Sequence, residues 1–205
     1  MTQDLATYYV WIGGSCDYGH KERAGGAAVV IEQNGKIISK DVIADLHTTE
    51  FRMMLTLMVK VMYELPDGSD ILFLTNAAYI QNFDKTPTAK SANPDLISQC
   101  IEAKTRHNSV SVKIVPYHKS PLLIETHDMA TEAMAKTRKE YHHDIQEQAL
   151  FGMMQDLGYS HGLCITALQI LSQDRLAISD MLAYLYEEQP SEEAFIKEIA
   201  RICET

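Results

Sequence analysis

Residues 26–46 of the chain, GAAVVIEQNGKIISKDVIADL, decide the fold class because two strand-forming segments flank a tight turn within them. Residues 26–31 are small or β-branched, which is typical of a buried strand. Asn34 and Gly35 both tolerate positive φ and therefore predict a hairpin turn. Residues 36–46 predict the returning strand, so the sheet contains an antiparallel pair.

The sequence on either side of this hairpin alternates between strand and helix patterns. Residues 8–12 predict a first strand, and residues 71–75 and 110–115 predict strands four and five. Helices are predicted from Thr48 or Thr49 to about Leu65, over residues 77–83 and 93–107, and from about Glu125 onward. This order predicts an α/β fold with a five-stranded mixed sheet and flanking helices.

The pattern changes from about Tyr141, where the strand signals end. N-caps of three short helices are predicted at Ser160, at Ser172 or Asp174, and at Ser191. We therefore expect an α/β domain over residues 1–143 and a small helical domain over residues 144–205. No Gly/Ser-rich linker separates the two.

Charge is distributed unevenly between these two parts. Residues 1–143 have a formal charge of −2 and residues 144–205 a charge of −8, which together give the net −10 of the whole chain. Because Lys and Arg supply most of the affinity of proteins for nucleic acid, any nucleic acid is expected to bind the first part.

The composition indicates an ordinary globular chain. An apolar content of 46% with 22% charged residues excludes disordered and collagen-like classes. The longest apolar stretches are far shorter than the roughly 20 residues of a membrane span, so no membrane association is expected. The first fifteen residues lack Lys and Arg, and the cysteines at positions 16, 100, 164 and 203 form no CxxC pair. We therefore expect reduced thiols and a cytoplasmic location.

Six short motifs occur in an order and spacing that resemble bacterial ribonuclease H over about residues 8–140. They are IGGSC at 12–16, TEFRMM at 49–54, LTNAAYI at 74–80, NPDL at 93–96, VPYH at 115–118 and HDMA at 127–130. The resemblance implies a fold whose relatives cleave the RNA strand of an RNA/DNA hybrid. Those enzymes use carboxylates to hold two Mg²⁺ ions.

At the family positions that carry chemistry, this sequence departs from the pattern. The three family carboxylates of the first strand, first helix and fourth strand correspond to Gly13, Met54 and Asn76. Only Asp128 and the loop histidine, His118, are retained. Because Mg²⁺ gives up its waters only to oxygen ligands and a thioether is too soft, the resemblance implies a degenerate active site with no resident metal cofactor.

A displaced metal site is the alternative. Glu50 lies one turn before Met54 on the same helical face, and Asp17 follows the first strand. Together with Asp128 and the amide of Asn76, they would form a single site for Mg²⁺ or Mn²⁺. The competing interpretation is that Glu50 stabilises its helix N-terminus and Asp17 is a solvated loop residue.

Substrate binding is also expected to be weak. Many bacterial members insert a Lys/Arg-rich helix and loop after the short helix that follows strand four. Here that region, residues 84–91, contains only Lys85 and Lys90. The remaining basic residues are interleaved with acidic ones, which is typical of an ordinary solvated surface.

The C-terminal helices are similar in spacing to ubiquitin-associated domains, which are three-helix peptide-binding modules. The similarity rests on the Leu157-Gly-Tyr159 motif and two following helices. The same motif is also compatible with a helix C-cap, in a bundle that covers the sheet or mediates dimerisation.

The prediction for the whole chain is a catalytically deficient ribonuclease H-like protein that acts as a scaffold or interaction module. Its expected partner is another protein or a second copy, with weak or absent nucleic-acid binding. The alternative is a Mg²⁺-dependent endonuclease that cleaves RNA in hybrids through relocated carboxylates at Asp17, Glu50 and Asp128.

Overall fold

The computed structural model describes residues 7–203, apart from the side chains of His143 and Arg175. A five-stranded sheet has the strand order β3-β2-β1-β4-β5. The strands pair antiparallel from β1 to β2 and from β2 to β3, and parallel from β1 to β4 and from β4 to β5. Their bounds are β1 Thr7–Cys16, β2 Gly25–Gln33, β3 Lys36–Asp45, β4 Asp70–Thr75 and β5 Ser109–Ile114. The predicted mixed sheet is confirmed.

The β2–β3 hairpin has the turn that its sequence predicts. Asn34 and Gly35 adopt φ values of 53° and 71°. Two consecutive positive φ angles match the right-handed twist of the flanking strands. The pairing register shifts between Ile31 and Glu32, which marks a bulge in this ladder.

Strand β1 is longer than predicted. It continues through Gly13 and Gly14, which pair with Ala28 and Ala27 of β2. Glycine is a poor strand former in isolation. Here the neighbouring strand supplies the ladder partners, so tertiary pairing overrides the local preference of the two glycines.

One face of the sheet forms the main core against helix α1, Glu50–Glu64. Thr49 caps this helix by accepting a hydrogen bond from the backbone N–H of Arg52 at 3.2 Å. Helix α2, Pro94–Lys104, packs beside α1 with Pro94 in its first turn. Burying one such Leu or Met side chain stabilises the fold by about 1.5–3 kcal/mol. The fully buried members of this core include Leu55, Leu57, Met58, Met62 and Phe73.

The opposite face of the sheet receives helix α3, Pro121–Asp156. The helix begins at Pro121 rather than near Glu125 and runs past the boundary predicted after residue 143. Pro is well suited to the first helical position, and no further Pro interrupts the segment. Gly26 allows the close approach of this helix, since a β-carbon there would lie 2.4 Å from the carbonyl oxygen of Ala130.

The chain divides into two compact units, one up to Arg138 and one from Lys139. The second unit contains helices α4 His161–Leu171, α5 Arg175–Glu188 and α6 Glu192–Cys203. Asp174 caps α5 by accepting a hydrogen bond from the N–H of Leu176 at 2.9 Å. The core of the second unit includes Leu150, Met154, Ile178, Met181 and Phe195. Within the described range, no helix combines the length and the apolarity that a bilayer crossing requires.

The Leu157-Gly-Tyr159 motif terminates helix α3. Gly158 has a φ of +83°. Its N–H donates to the carbonyl of Gln155, and the N–H of Tyr159 donates to the carbonyl of Met154. These two bonds define a Schellman cap, which is the C-cap interpretation of the motif.

Candidate active site

Four elements bring the family positions to one edge of the sheet. Strands β1 and β4 are parallel neighbours with Trp11 opposite Leu74. Gly13 and Asn76 each follow two residues later, so both lie towards the same carboxyl edge. Met54 lies on α1 and Asp128 on α3, which cover the two faces of the sheet.

The backbone at Gly13 is enclosed by helix α3. A β-carbon at this position would lie 2.7 Å from Oγ1 of Thr126 and 3.0 Å from the backbone nitrogen of His127. Thr126 is itself fully buried, and its hydroxyl donates to the carbonyl of Leu123 at 2.8 Å. The space that a side chain at position 13 would need is therefore occupied.

The neighbouring glycine faces the other side of the sheet. A β-carbon at Gly14 would lie 2.7 Å from Cγ of Glu50 and 2.9 Å from Cγ of Met54. Met54 is completely buried. Side chains of α1 thus fill the volume beside Gly14, so this part of the site is packed and not open.

Tyr79 extends this filling with an aromatic ring. Its hydroxyl donates to the sulfur of Met54 at 3.4 Å, and its ring packs edge-on against Phe51 with 5.0 Å between centroids. Burial, together with the nearby negative charge of Glu50, raises the pKa of Tyr79 far above its usual value. The hydroxyl therefore remains a neutral donor. Sequence reasoning did not single out Tyr79, although it lies inside the motif at residues 74–80.

The remaining family positions lie at the surface. Asn76, His118 and Asp128 are all exposed. The ring of His118 lies edge-on to Tyr117, at 5.3 Å between centroids. Asp128 makes no ion pair with the part of the chain that the structure describes. None of the other positions compared with the family holds a carboxylate that could act together with Asp128.

Asp17 is engaged by other side chains. It forms an ion pair with Arg138 and lies 2.7 Å from Nδ1 of His20, and it also accepts from the N–H of Gly19. The hydrogen bond to His20, followed by the one to Arg138, lowers the pKa of Asp17 below its usual value. The residue is thus neither the free metal ligand nor the simple solvated loop residue that the sequence allowed.

Glu50 occupies the first turn of α1, directly after the capping residue Thr49. This is the position at which a carboxylate interacts favourably with the helix dipole. Within residues 7–203, no three His, Cys, Asp or Glu side chains are grouped in a way that could hold a metal ion. Asp17, Glu50 and Asp128 are therefore not brought together as one ligand set, and the residues present do not fit a pair of Mg²⁺ ions.

Two basic side chains of the first unit, Arg52 and Lys104, are paired with acids. Arg52 binds Asp95 through both carboxylate oxygens, at 2.9 and 3.3 Å. Lys104 binds Asp84 at 2.6 Å. In the segment 84–91, Lys85 and Lys90 are exposed, and the backbone is held by a turn between Thr88 and Ser91. This segment therefore adds two exposed positive charges.

No family model matches the sequence, and no curated protein matches it. Solved structures do share its fold. LC9-RNase H1, described as a type 1 RNase H with the type 2 active-site motif, is 18% identical with a TM-score of 0.57, covering 67% of this chain and 76% of that one. The N-terminal RNase H domain of a Mycobacterium tuberculosis protein, fused to maltose-binding protein, is 10% identical with a TM-score of 0.54, covering 66% and 99%.

A third structure, LC11-RNase H1 in complex with an RNA/DNA hybrid, is 14% identical with a TM-score of 0.52, and the match covers 63% of this chain and 97% of that one. At these identities the similarity concerns the arrangement of the backbone. The sheet order, the helices on both faces and these neighbours lead to one conclusion: this chain has the ribonuclease H-like fold.

Proposed function

We propose that this chain is a catalytically deficient ribonuclease H-like protein that acts as a scaffold or interaction module and binds nucleic acid weakly or not at all. One observation carries the proposal. The space beside Gly13, where the family has its first metal-binding carboxylate, is occupied by Thr126 and His127.

The chemistry of the site supports the same conclusion. Hybrid cleavage in this family depends on a metal-bound water, whose pKa falls to about 7 on an effective metal site from 15.7 in bulk water. The site offers Gly13, Met54 and Asn76 where the family has three acidic ligands. Without those oxygens the chain lacks the means to generate the nucleophile.

The packing of the site also supports the proposal. Met54 is fully buried, and Tyr79 donates its hydroxyl to the Met54 sulfur. Packed side chains therefore occupy this part of the site. Reversing one substitution would therefore leave the other obstructions in place.

The alternative, a Mg²⁺-dependent endonuclease with relocated carboxylates, is less well supported. It needs Asp17, Glu50 and Asp128 to act on one metal. Asp17 is instead bound by Arg138 and His20, and Glu50 lies at the N-terminus of α1 beside Met54.

Nucleic-acid binding is proposed to be weak because basic charge is scarce. LC11-RNase H1 was solved with an RNA/DNA hybrid. In this chain Arg52 and Lys104 are paired with acids, and residues 144–205 carry a charge of −8. Fewer free cations mean fewer released counterions and lower affinity.

A cleavage assay tests the proposal. Purified chain is incubated with an end-labelled RNA/DNA hybrid in Mg²⁺ and in Mn²⁺, beside the Asp128→Asn variant. We expect no protein-dependent cleavage by either protein. Cleavage by the wild-type chain that disappears in Asp128→Asn would establish the endonuclease alternative instead.

Binding is measured separately with the same hybrid by gel shift at increasing salt. We expect at most a faint shift that disappears near physiological ionic strength. A tight complex that survives at this salt concentration would contradict the proposed weak binding without bearing on catalysis.

A further inference from the structure

Helices α5 and α6 of the second unit line a groove. Its volume is about 340 Å³, near the lower end of the roughly 300–1,000 Å³ typical of ligand pockets. Met181 forms the buried floor. The apolar walls are formed by Leu176, Ala177, Tyr184 and Ile202.

Leu176 is an apolar side chain at the edge of this groove. It is 73% exposed, although it lies on α5 directly beside the groove floor. A single exposed Leu is common on protein surfaces. An exposed Leu at the mouth of an apolar groove provides a contact surface for an incoming apolar side chain.

Charged side chains surround the apolar walls. Among the described lining residues, Asp174, Asp180 and Glu198 contribute carboxylates and Arg201 contributes one guanidinium. Arg201 binds both oxygens of Glu198 at 3.1 Å, so this pair is internally neutral. Among these described side chains, Asp174 and Asp180 leave a net negative charge.

The helical part of the chain as a whole is also negatively charged. Residues 144–205 carry three basic and eleven acidic residues. This field repels phosphate groups and also repels the same surface on a second copy of the chain. It attracts a cationic partner, because complementary charge increases the rate of encounter and selects against partners of the wrong sign.

We propose that the α5–α6 groove binds a basic amphipathic helix of a protein partner, with one apolar side chain seated against Leu176 and Met181 and Lys or Arg residues facing Asp174 and Asp180. This recognition mode places a helix with apolar residues at i, i+3 and i+4 into a groove. The proposal names the partner class of the interaction module, and in that respect it rests on the proposed function.

The test uses the full chain and a fluorescein-labelled amphipathic peptide of Leu and Lys, about 18 residues long, with Leu on one helical face. A peptide of the same pattern with Glu in place of Lys is the charge control. Fluorescence anisotropy measures binding at low and at physiological salt. We expect saturable binding of the Leu/Lys peptide that weakens with salt, and no binding of the Leu/Glu peptide.

Matched variants on α5 separate groove binding from general attraction to an acidic protein. Leu176→Ser is compared with Tyr186→Ser, since Tyr186 is 74% exposed on the same helix and does not line the groove. Asp180→Asn is compared with Glu187→Gln, which removes the same charge outside the groove. We expect Leu176→Ser to weaken binding roughly tenfold and Asp180→Asn roughly threefold, with the two controls unchanged.

Equal losses in each matched pair, or no binding of the Leu/Lys peptide, would overturn the proposal. A concentration-dependent dimer in sedimentation that is lost in Leu176→Ser would also overturn it and assign the groove to self-association. None of these readouts involves nuclease activity. The peptide experiment and the cleavage assay can therefore fail independently.

Discussion

Oγ1 of Thr126 lies 2.7 Å from the point at which a β-carbon on Gly13 would stand. This relationship connects a missing carboxylate on β1 to the packing of α3. Real β-carbons do not approach other atoms so closely, so a side chain at position 13 requires the Thr126 side chain to shift and the backbone at His127, 3.0 Å away, to give by a few tenths of an ångström. The packing of the fold, and not only the identity of residue 13, therefore opposes a metal site there.

Substitution of Gly13 is expected to destabilise the first unit. Gly13→Ala should cost about 1–3 kcal/mol by overpacking, and Gly13→Asp about 3–5 kcal/mol because it also buries a charge without a partner. Urea unfolding followed by circular dichroism measures both. In a double-mutant cycle, Thr126→Ala should reduce the cost of Gly13→Ala by about 0.5–1 kcal/mol. Strictly additive costs would show that the two residues do not contact each other as described.

Restoring the family carboxylate on α1 is expected to harm folding rather than restore metal binding. Met54→Glu places a charge in the fully buried position beside Glu50 and should cost about 3–5 kcal/mol. Met54→Leu, the control, conserves volume and should cost less than about 1.5 kcal/mol. Thermal unfolding with and without Mg²⁺ measures both effects. A Met54→Glu protein that gains stability from Mg²⁺ would contradict the expectation.

The contacts of Asp17 with His20 and Arg138 are expected to make the stability of the fold depend on pH. The pKa of Asp17 is lowered in the folded chain, so its contribution is present above the unfolded value of 3.8. The contribution is lost as the pH falls through the folded pKa. Asp17→Asn should lower the melting temperature at pH 6, and this effect should shrink as the pH falls through the folded pKa of Asp17. Asp67→Asn, which removes an exposed partner of Arg106, serves as the control and should have little effect at any pH in this range.

The Schellman cap of α3 is expected to need glycine at position 158. Gly158→Ala should destabilise the second unit by about 1–2 kcal/mol, because φ is +83° there. Gly152→Ala is the matched control. Gly152 lies inside α3 with no heavy atom within 4 Å of its β-carbon position, so this change should stabilise by about 0.5–1 kcal/mol. Guanidinium unfolding measures both, and a shift of the same sign in the two variants would refute the assignment of the cap.

The secondary structure could be predicted to a large extent because its signals are local. Residues that are neighbours in the sequence set the turn at Asn34-Gly35 and the helix caps at Thr49 and Asp174. The start and length of α3 were not predicted correctly. A periodic pattern indicates the existence of a helix more reliably than its ends, and here the helix begins at Pro121, which suits the first helical position.

The sequence by itself determined an α/β fold with a mixed sheet. It also placed Gly13, Met54 and Asn76 where the resemblance to ribonuclease H leads one to expect metal-binding carboxylates, because residue identity and spacing are properties of the linear chain. Only the tertiary structure decided that Thr126 closes the space at Gly13, that Tyr79 covers Met54, and that Asp17 is bound by Arg138. These contacts join residues far apart in the sequence. Their geometry follows from how two helices pack on opposite faces of one sheet, which no local pattern encodes.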